Sequence, residues 1–528
     1  MIEKWSRLFF FFITFGSLGF VLALARVWPF AKWGFLPIGV WLGVGLYDIW
    51  QKKHTILRNF PVLGHFRFLL ESIRPEIRQY FIESDSEENP YSREKRSVVY
   101  QRAKATLDTL PFGTRRDVYQ NGYEWINHSL APTEKNPAFA RVMVGEMSCG
   151  QPYSAALFNI SAMSYGALSR NAVMALNRAA KEGEFYHNTG EGGISDWHRQ
   201  GGDLVWQVGT GYFGCRRPDG TFCAETFKNR ACLPEVKMIE LKLSQGAKPG
   251  HGGILPAAKV TDEIARIRDV PRGQDIISPP SHSSFANPVE LLEFLTHLRE
   301  LAGGKPVGFK LCVGSYREFL GICKAMVETG LHPDFITVDG AEGGTGAAPL
   351  EFSNSVGMPL NDGLAFVHSA LIGIDMRDRV KLIAAGKITT GFHLLSKIAL
   401  GADLCNAARG MMFALGCIQA LKCNTNECPT GVTTQSSRLY RGLDVEDKAQ
   451  RVKRFQRATV ESAMELATAS GMICKQEDLR WQIWRRTAFD RVQPLGELYP
   501  CLAPGVLLKE NLPEDFSRHW AEARANAF

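Results

Sequence analysis

The chain has 528 residues, 45% of them hydrophobic and 22% charged, enough to bury the core of one large domain with appendages. A formal charge of +7, with no basic stripe interleaved by aromatic residues, excludes nucleic acid as the expected partner. Twelve cysteines scattered from Cys149 to Cys501 exclude the disulfide framework of a small secreted protein and suit a reducing compartment.

Residues Leu8 to Ala25 form an uncharged apolar run long enough to cross a bilayer. A second run, Gly34 to Tyr47, is borderline and is followed by Asp48. Lys4 and Arg7 precede the pair, Lys52, Lys53, Arg58 and Arg67 follow it, and the turn between holds Arg26 and Lys32. The positive-inside rule then predicts a transmembrane helical hairpin over residues 1–50 with both ends in the cytoplasm. The expected location is the inner (cytoplasmic) membrane, with the rest of the chain facing the cytoplasm. The rival reading is a cleaved signal peptide ending near Ala23-Leu24-Ala25. Residues 51–145 are charged and irregular; an exposed loop is expected over 84–96, then a helix that stops at Pro111. This stretch is expected to be a lead-in packed on the main domain.

From Leu157 the punctuation becomes regular. Strands are predicted at Leu157–Ser161, Leu204–Val208, Val236–Leu243, Asp275–Ile277, Val307–Cys312, Phe335–Asp339, Val380–Ala384 and Ala402–Ala407. Helices at Ser169–Glu182, Pro288–Leu301, Ser315–Thr329 and Gly363–Ile374 alternate with them. Short β-rich strands alternating with helices mean parallel pairing, and roughly eight such units predict an α/β fold, a (β/α)8 TIM barrel over residues 146–440. An open doubly wound sheet would want a G-x-G-x-x-G turn after an early strand, and none stands there.

Residues just past the strand ends form the mouth of such a barrel. Here they include Ser161-Ala162-Met163-Ser164, Asn188 to Gly193, Gln207, Gln245 to Gly253, Ser278-Pro-Pro280, Lys310, Glu342 to Gly346, Gly386-Lys387 and Ala408-Arg409-Gly410. So many glycines at one end imply close approach of backbone to something flat or phosphorylated. Lys310 supplies a fixed cation for developing negative charge, or else an ordinary buried salt bridge to a residue such as Glu342. Glu191 is either a catalytic carboxylate or a solvated turn residue.

Cys417, Cys423 and Cys428 form a C-x5-C-x4-C triplet closed by Pro429. An odd, local set cannot pair off internally, so a metal cluster is the expectation. Three buried thiols, or zinc with Cys405 as fourth ligand, stay open as alternatives. Residues 441–528 are expected to form a helical C-terminal extension, beginning with a helix that stops at Gly471. Trp481, Trp484 and Arg485-Arg486 are expected to pack on the barrel.

The order NTGEGG, QGAKPGHGG, ISPPSH, EGGTGAAP and GC-x5-C-x4-CPTGV resembles the synthase (FMN) domain of glutamate synthase over about residues 140 to 440. As a whole the chain is similar to the membrane-associated FMN-binding glutamate synthase family. The resemblance implies FMN, a 3Fe-4S cluster on Cys417, Cys423 and Cys428, and reduction of the imine formed from 2-oxoglutarate and ammonia. It places FMN against Ala162, Met163, Ser164, Gln207 and Lys310, with its phosphate at Gly343, Gly344, Gly386, Arg409 and Gly410. It assigns Lys248 and Arg268 to the 2-oxo acid, and Glu191 to the acidic position beside the flavin, so that Lys310 and Glu191 are the expected catalytic pair.

Departures from the family pattern are Ile254 in place of an amide, His251 in place of a carboxylate, and Ala341. No amino-terminal Cys glutaminase domain is present in the sequence, so free ammonia, a separate amidotransferase subunit, or different chemistry is expected. Electrons are expected from a ferredoxin-like donor, since no NAD fingerprint is visible. Two alternatives stand beside this: a transferase subunit like N-methylglutamate synthase, and a non-catalytic FMN or electron-transfer subunit.

Overall fold

Short strands buried on both faces, one after another, build the centre of this molecule. In the computed structural model, which describes all residues except 1, 88–89, 135–139 and 472–475 and the side chains of 2–6 and 476–478, eight parallel strands close into a barrel. They are β1 (Phe158–Ile160), β2 (His187–Asn188), β3 (Leu204–Val208), β4 (Val236–Lys242), β5 (Val307–Leu311), β6 (Phe335–Asp339), β7 (Lys381–Ala385) and β8 (Leu404–Ala407). Each pairs with its neighbour in sequence, and β8 closes on β1.

The inward-facing residues change character along the barrel axis. At the amino ends Val205, Met238, Phe335, Ile383 and Leu404 form an apolar plug, completed by Val144, Tyr153 and Ala155 of an antiparallel hairpin, Arg141–Val144 with Tyr153–Ala156. One step up lies a polar layer centred on Glu240, which is 1% exposed. Its carboxylate accepts from Asn188 Nδ2 at 2.8 Å, Gln207 Nε2 at 2.6 Å and Thr337 Oγ1 at 2.6 Å. A buried carboxylate persists only when its lone pairs are so occupied. At the carboxyl ends the same faces end in Lys242, Lys310 and Asp339, so the sequence of each strand itself delivers charge to one mouth.

The surrounding helices bury an apolar stripe each. In Arg170–Gly183, Ser169 caps the first turn by accepting from Ala172 N–H, and Ala172, Val173, Leu176, Ala179 and Ala180 face inward. The long helix Val445–Ala469 packs on it and on helix Arg93–Lys104. Its buried residues Ala449, Val452, Phe455, Val460, Ala463 and Ala467 follow helical spacing, and Gln456 Nε2 donates to Phe158 O of β1. Gly471 takes a φ of +74° where that segment leaves the helix.

Three details differ from the sequence reading. Asp275–Ile277 is not a barrel strand: Ile276–Ile277 pairs antiparallel with Ile254–Leu255 outside the barrel, and the second barrel strand is the two-residue His187–Asn188. The helix begun at Arg93 ends at Lys104, where Ala105 adopts a left-handed φ of +52°, well before Pro111. The tail after residue 475 is not helical throughout: Ile483–Ala488 and Arg491–Pro494 form a hairpin that takes up Glu124–Ile126 as a third strand.

Residues through Ser84 form a separate compact unit from Asp85–Phe528. Within it, helix Ile2–Val27 contains one span, Arg7–Val27, long and apolar enough to cross a membrane. The second apolar helix, Phe35–Trp50, has 16 residues and falls short of such a span among the described residues. The side chain of Lys4, one of the charges used to orient the pair, lies outside the described residues.

Candidate functional site

The mouth of the barrel holds one continuous cavity. Ala162, Met163, Ser164, Glu191, Gln207, Lys248, Arg268, Lys310, Gly343, Gly344, Gly386, Arg409 and Gly410 all line it, together with Cys423. The barrel mouth therefore brings together every non-cysteine residue that the family resemblance assigned to cofactor, substrate or catalysis. Cys417, Cys423 and Cys428 line an adjoining cavity that shares Tyr91, Arg409, Met412, Cys423 and Thr433 with the first.

Charge is distributed unevenly over this lining. Seven cationic side chains (Lys242, Lys248, Lys259, Arg268, Lys310, Lys387 and Arg409) face two carboxylates, Glu191 and Asp339. Such a cavity attracts an anion with more than one negative group. Lys310 Nζ pairs with Asp339 Oδ2 at 3.0 Å, while Glu342 instead accepts from Leu360 N–H at 3.0 Å. Burial opposes charge on Lys310, but Asp339 and Glu240 outweigh it and hold the ammonium above its ordinary pKa.

Glu191 Oε1 accepts from Lys242 Nζ at 2.7 Å. Burial would raise its pKa, but Lys242, Arg268 and Lys248 together hold it below the usual carboxylate value. The carboxylate fits because two neighbours lack side chains: a Cβ on Gly209 would stand 2.5 Å from Oε2, and one on Gly253 would meet Oε1. Glu191 is thus a largely enclosed, ionised group rather than a solvated turn residue.

Burial, reinforced by Lys242, pushes the Lys248 pKa down to about 8, and Lys248 Nζ donates to Ala347 O at 2.8 Å. Arg268 is buried over the Phe213 ring, with Nη2 donating to Tyr165 O at 3.0 Å. Burial lowers its pKa to about 10. Among the described residues, buried donors of the lining without a hydrogen-bond partner include Arg268 Nε and Ser278 Oγ. Unsatisfied buried donors are costly, so a ligand with acceptor oxygens is the natural partner.

On the opposite side Gly343 and Gly344 follow β6, Gly386 follows β7 and Gly410 follows β8. Arg409 Nη2 donates to Glu342 O at 2.7 Å, and its guanidinium lies 4.7 Å from the centre of the Tyr91 ring. A Cβ on Gly344 would stand 2.7 Å from Arg409 Nε, so the close approach requires glycine. Exposed backbone beside a fixed guanidinium suits a phosphate, and the residues fit a phosphorylated planar group held between this side and Lys310.

The cysteine loop is less organised around a ligand. Burial raises the Cys417 pKa to about 12, whereas hydrogen bonds from Thr430 and Thr433 overcome burial and hold Cys428 below its usual value. No group of three or more His, Cys, Asp or Glu side chains among the described residues is arranged to hold a metal ion.

Sequence reasoning missed Lys242, Asp339, Lys259 and the buried Glu240. Charges at alternate positions 240 and 242 of an otherwise apolar strand were the available signal, since period two points both inward. Of the departures, Ile254 lines the cavity beside Leu255 and Pro256, whereas His251 turns its ring onto Phe352 with centroids 5.3 Å apart. Ala341 N–H donates to Met358 O.

The conserved region of glutamate synthase matches residues 96–473. The chain is 39% identical over 479 residues to the glutamate synthase large subunit-like protein YerD of Bacillus subtilis, covering 83% of this chain and 91% of that protein. It is 35% identical over 315 residues to the archaeal glutamate synthase [NADPH] of Methanocaldococcus jannaschii, covering 59% of this chain and 58% of that enzyme. Among solved structures, a mandelate oxidase mutant with a monooxide FMN adduct is 12% identical, with a TM-score of 0.39, over 80% of this chain and 99% of that one. With most of its length, barrel and mouth included, inside that conserved region, the chain belongs to the glutamate synthase family and is an oxidoreductase of that family.

Proposed function

We propose that this chain is a membrane-tethered, FMN-dependent oxidoreductase that reductively aminates a 2-oxo acid, with 2-oxoglutarate and ammonia as the reference pair. The observation that carries the reading is the excess of cations over carboxylates in one cavity at the barrel mouth. An anionic cofactor and a dicarboxylate together would offset most of it.

FMN would be held by Gly343, Gly344, Gly386, Arg409 and Gly410 on its phosphate side and by Ala162, Met163, Ser164, Gln207 and Lys310 along its ring, and when bound would supply the hydride. Arg268, through its unpartnered Nε, and Lys248 would bind substrate carboxylates. Lys310, fixed by Asp339, would oppose negative charge developing on the ring side. Ammonia and the oxo acid condense to an imine with loss of water; hydride and one proton then give the amino acid. The ion-paired Lys242 Nζ, beside Glu191, is placed to hold that proton.

The three thiols Cys417, Cys423 and Cys428 would take a 3Fe-4S cluster, with a ferredoxin-like donor feeding electrons and ammonia free or delivered by a separate amidotransferase subunit. Arg7–Val27 would span the inner membrane, the shorter Phe35–Trp50 returning the chain to a cytoplasmic catalytic domain. The apolar wall at Ile254 and Leu255 favours one second reading, a transferase like N-methylglutamate synthase acting on an alkylated amine.

Anaerobic purification in detergent, followed by FMN, iron and sulfide analysis, tests this. One FMN with about three irons per chain is the expected result. Flavin without iron would remove the cluster alone, and absence of flavin would remove the whole reading.

A further inference from the structure

The amino-terminal unit carries a second apolar surface that the spanning helix does not account for. Helix Gly64–Ile77, continued by a wider turn over Arg78–Ile82, is exposed along almost its whole length. Phe66, Leu69, Leu70 and Ile73 recur at the three- and four-residue intervals that put them on one face, and Tyr80 and Phe81 follow two turns further on. Phe66 is 66% exposed and Phe81 85%, so among the described residues nothing covers those two rings. Arg67, Arg74 and Arg78 all fall on one flank of it, and Arg67 Nε pairs with Glu71 at 2.9 Å.

The start of this helix is tied to the end of the second apolar helix. Asp48, fully buried near the end of Phe35–Trp50, accepts from Val62 N–H at 2.8 Å and bonds His65 Nε2 at 3.0 Å. The stripe therefore begins where the apolar pair ends, at the depth where a membrane surface would lie. An apolar face with arginines along its edge fits the boundary between acyl chains and headgroups, with guanidiniums reaching anionic lipid.

We propose that residues 64–82 form an amphipathic helix that lies in the surface of an anionic bilayer and fixes the height of the chain above it. This rests on the membrane-anchored reading of the amino-terminal unit. The test uses the full chain reconstituted in vesicles of phosphatidylethanolamine and phosphatidylglycerol, with a photo-crosslinking residue at Leu70 or, on the polar side, at Ser72. Both positions are exposed, so neither substitution disturbs packing. Lipid adducts from position 70 are expected to exceed those from position 72 by about fivefold or more. Adducts from position 70 to the barrel or to a second copy of the chain, with the chain still resisting alkaline carbonate, would overturn the surface helix alone. Release of the whole chain by carbonate would overturn the anchoring reading and the helix with it.

Discussion

Glu191→Gln keeps the shape of the side chain and removes its charge. The carboxylate sits 2.7 Å from Lys242 Nζ, and its charge also favours the protonated forms of Lys248 and Arg268. Removing one partner of a buried pair costs about 3–5 kcal/mol, because the other charge stays buried and unpaired. The retained amide oxygen still accepts from Lys242, so the lower end, about 3 kcal/mol, is expected here. In detergent at neutral pH this lowers the midpoint of thermal unfolding by several degrees, about 3–6 °C for a domain of this size. The sign with pH is fixed by the depressed pKa of Glu191. Its contribution is fully present above the unfolded value of about 4.3 and is lost as pH falls through the still lower folded value. The difference between wild type and variant must therefore narrow in acid. An unchanged or raised midpoint at pH 7 would refute the claim that Glu191 neutralises this cationic cluster.

Three further substitutions probe separate parts of the site. Arg268→Lys keeps charge but loses the planar fork that reaches Tyr165 O and leaves Nε free; a rise of tenfold or more in KM for the oxo acid, about 1.4 kcal/mol, is expected with flavin content unchanged. Gly344→Ala puts a Cβ 2.7 Å from Arg409 Nε, so the ratio of flavin to protein after gel filtration should fall; full retention would exclude this turn from cofactor binding. Lys248, with its pKa near 8, should release its proton well before an unfolded lysine does. Oxo-acid affinity should then weaken as pH rises through about 8, and Lys248→Met should abolish that step. Folding stability should move the opposite way between about 8 and about 10.4, because the unfolded chain there binds the extra proton.

Much of the barrel was legible in the sequence because its strands are uniformly buried. Leu204–Val208 and Phe335–Asp339 coincide with the observed strands, each a five-residue run that a turn closes cleanly. His187–Asn188 was not legible, since two residues carry no periodicity; its place is set by pairing with β1 and β3. Asp275–Ile277 misled for the opposite reason, two β-branched residues whose partner is a loop strand beside the site. The hairpin at Ile483–Ala488 recruits Glu124–Ile126 from far away in sequence, with Arg485 Nε bonded to Glu124 Oε1 at 2.8 Å, and no local pattern announces such a contact. Within the site, Lys310 was readable as a strand-end cation, but its partner was not. Asp339 ends the neighbouring strand and faces the same mouth, whereas the Glu342 carboxylate turns back to Leu360 N–H.

The most direct test of the central claim follows the absorbance of the anaerobically reduced, detergent-solubilised chain when ammonium and 2-oxoglutarate are added together. The reduced flavin is expected to reoxidise, with glutamate formed in equal amount, and neither compound alone to suffice. A chain that carries its flavin, stays reduced with both compounds present and makes no amino acid would contradict the claim.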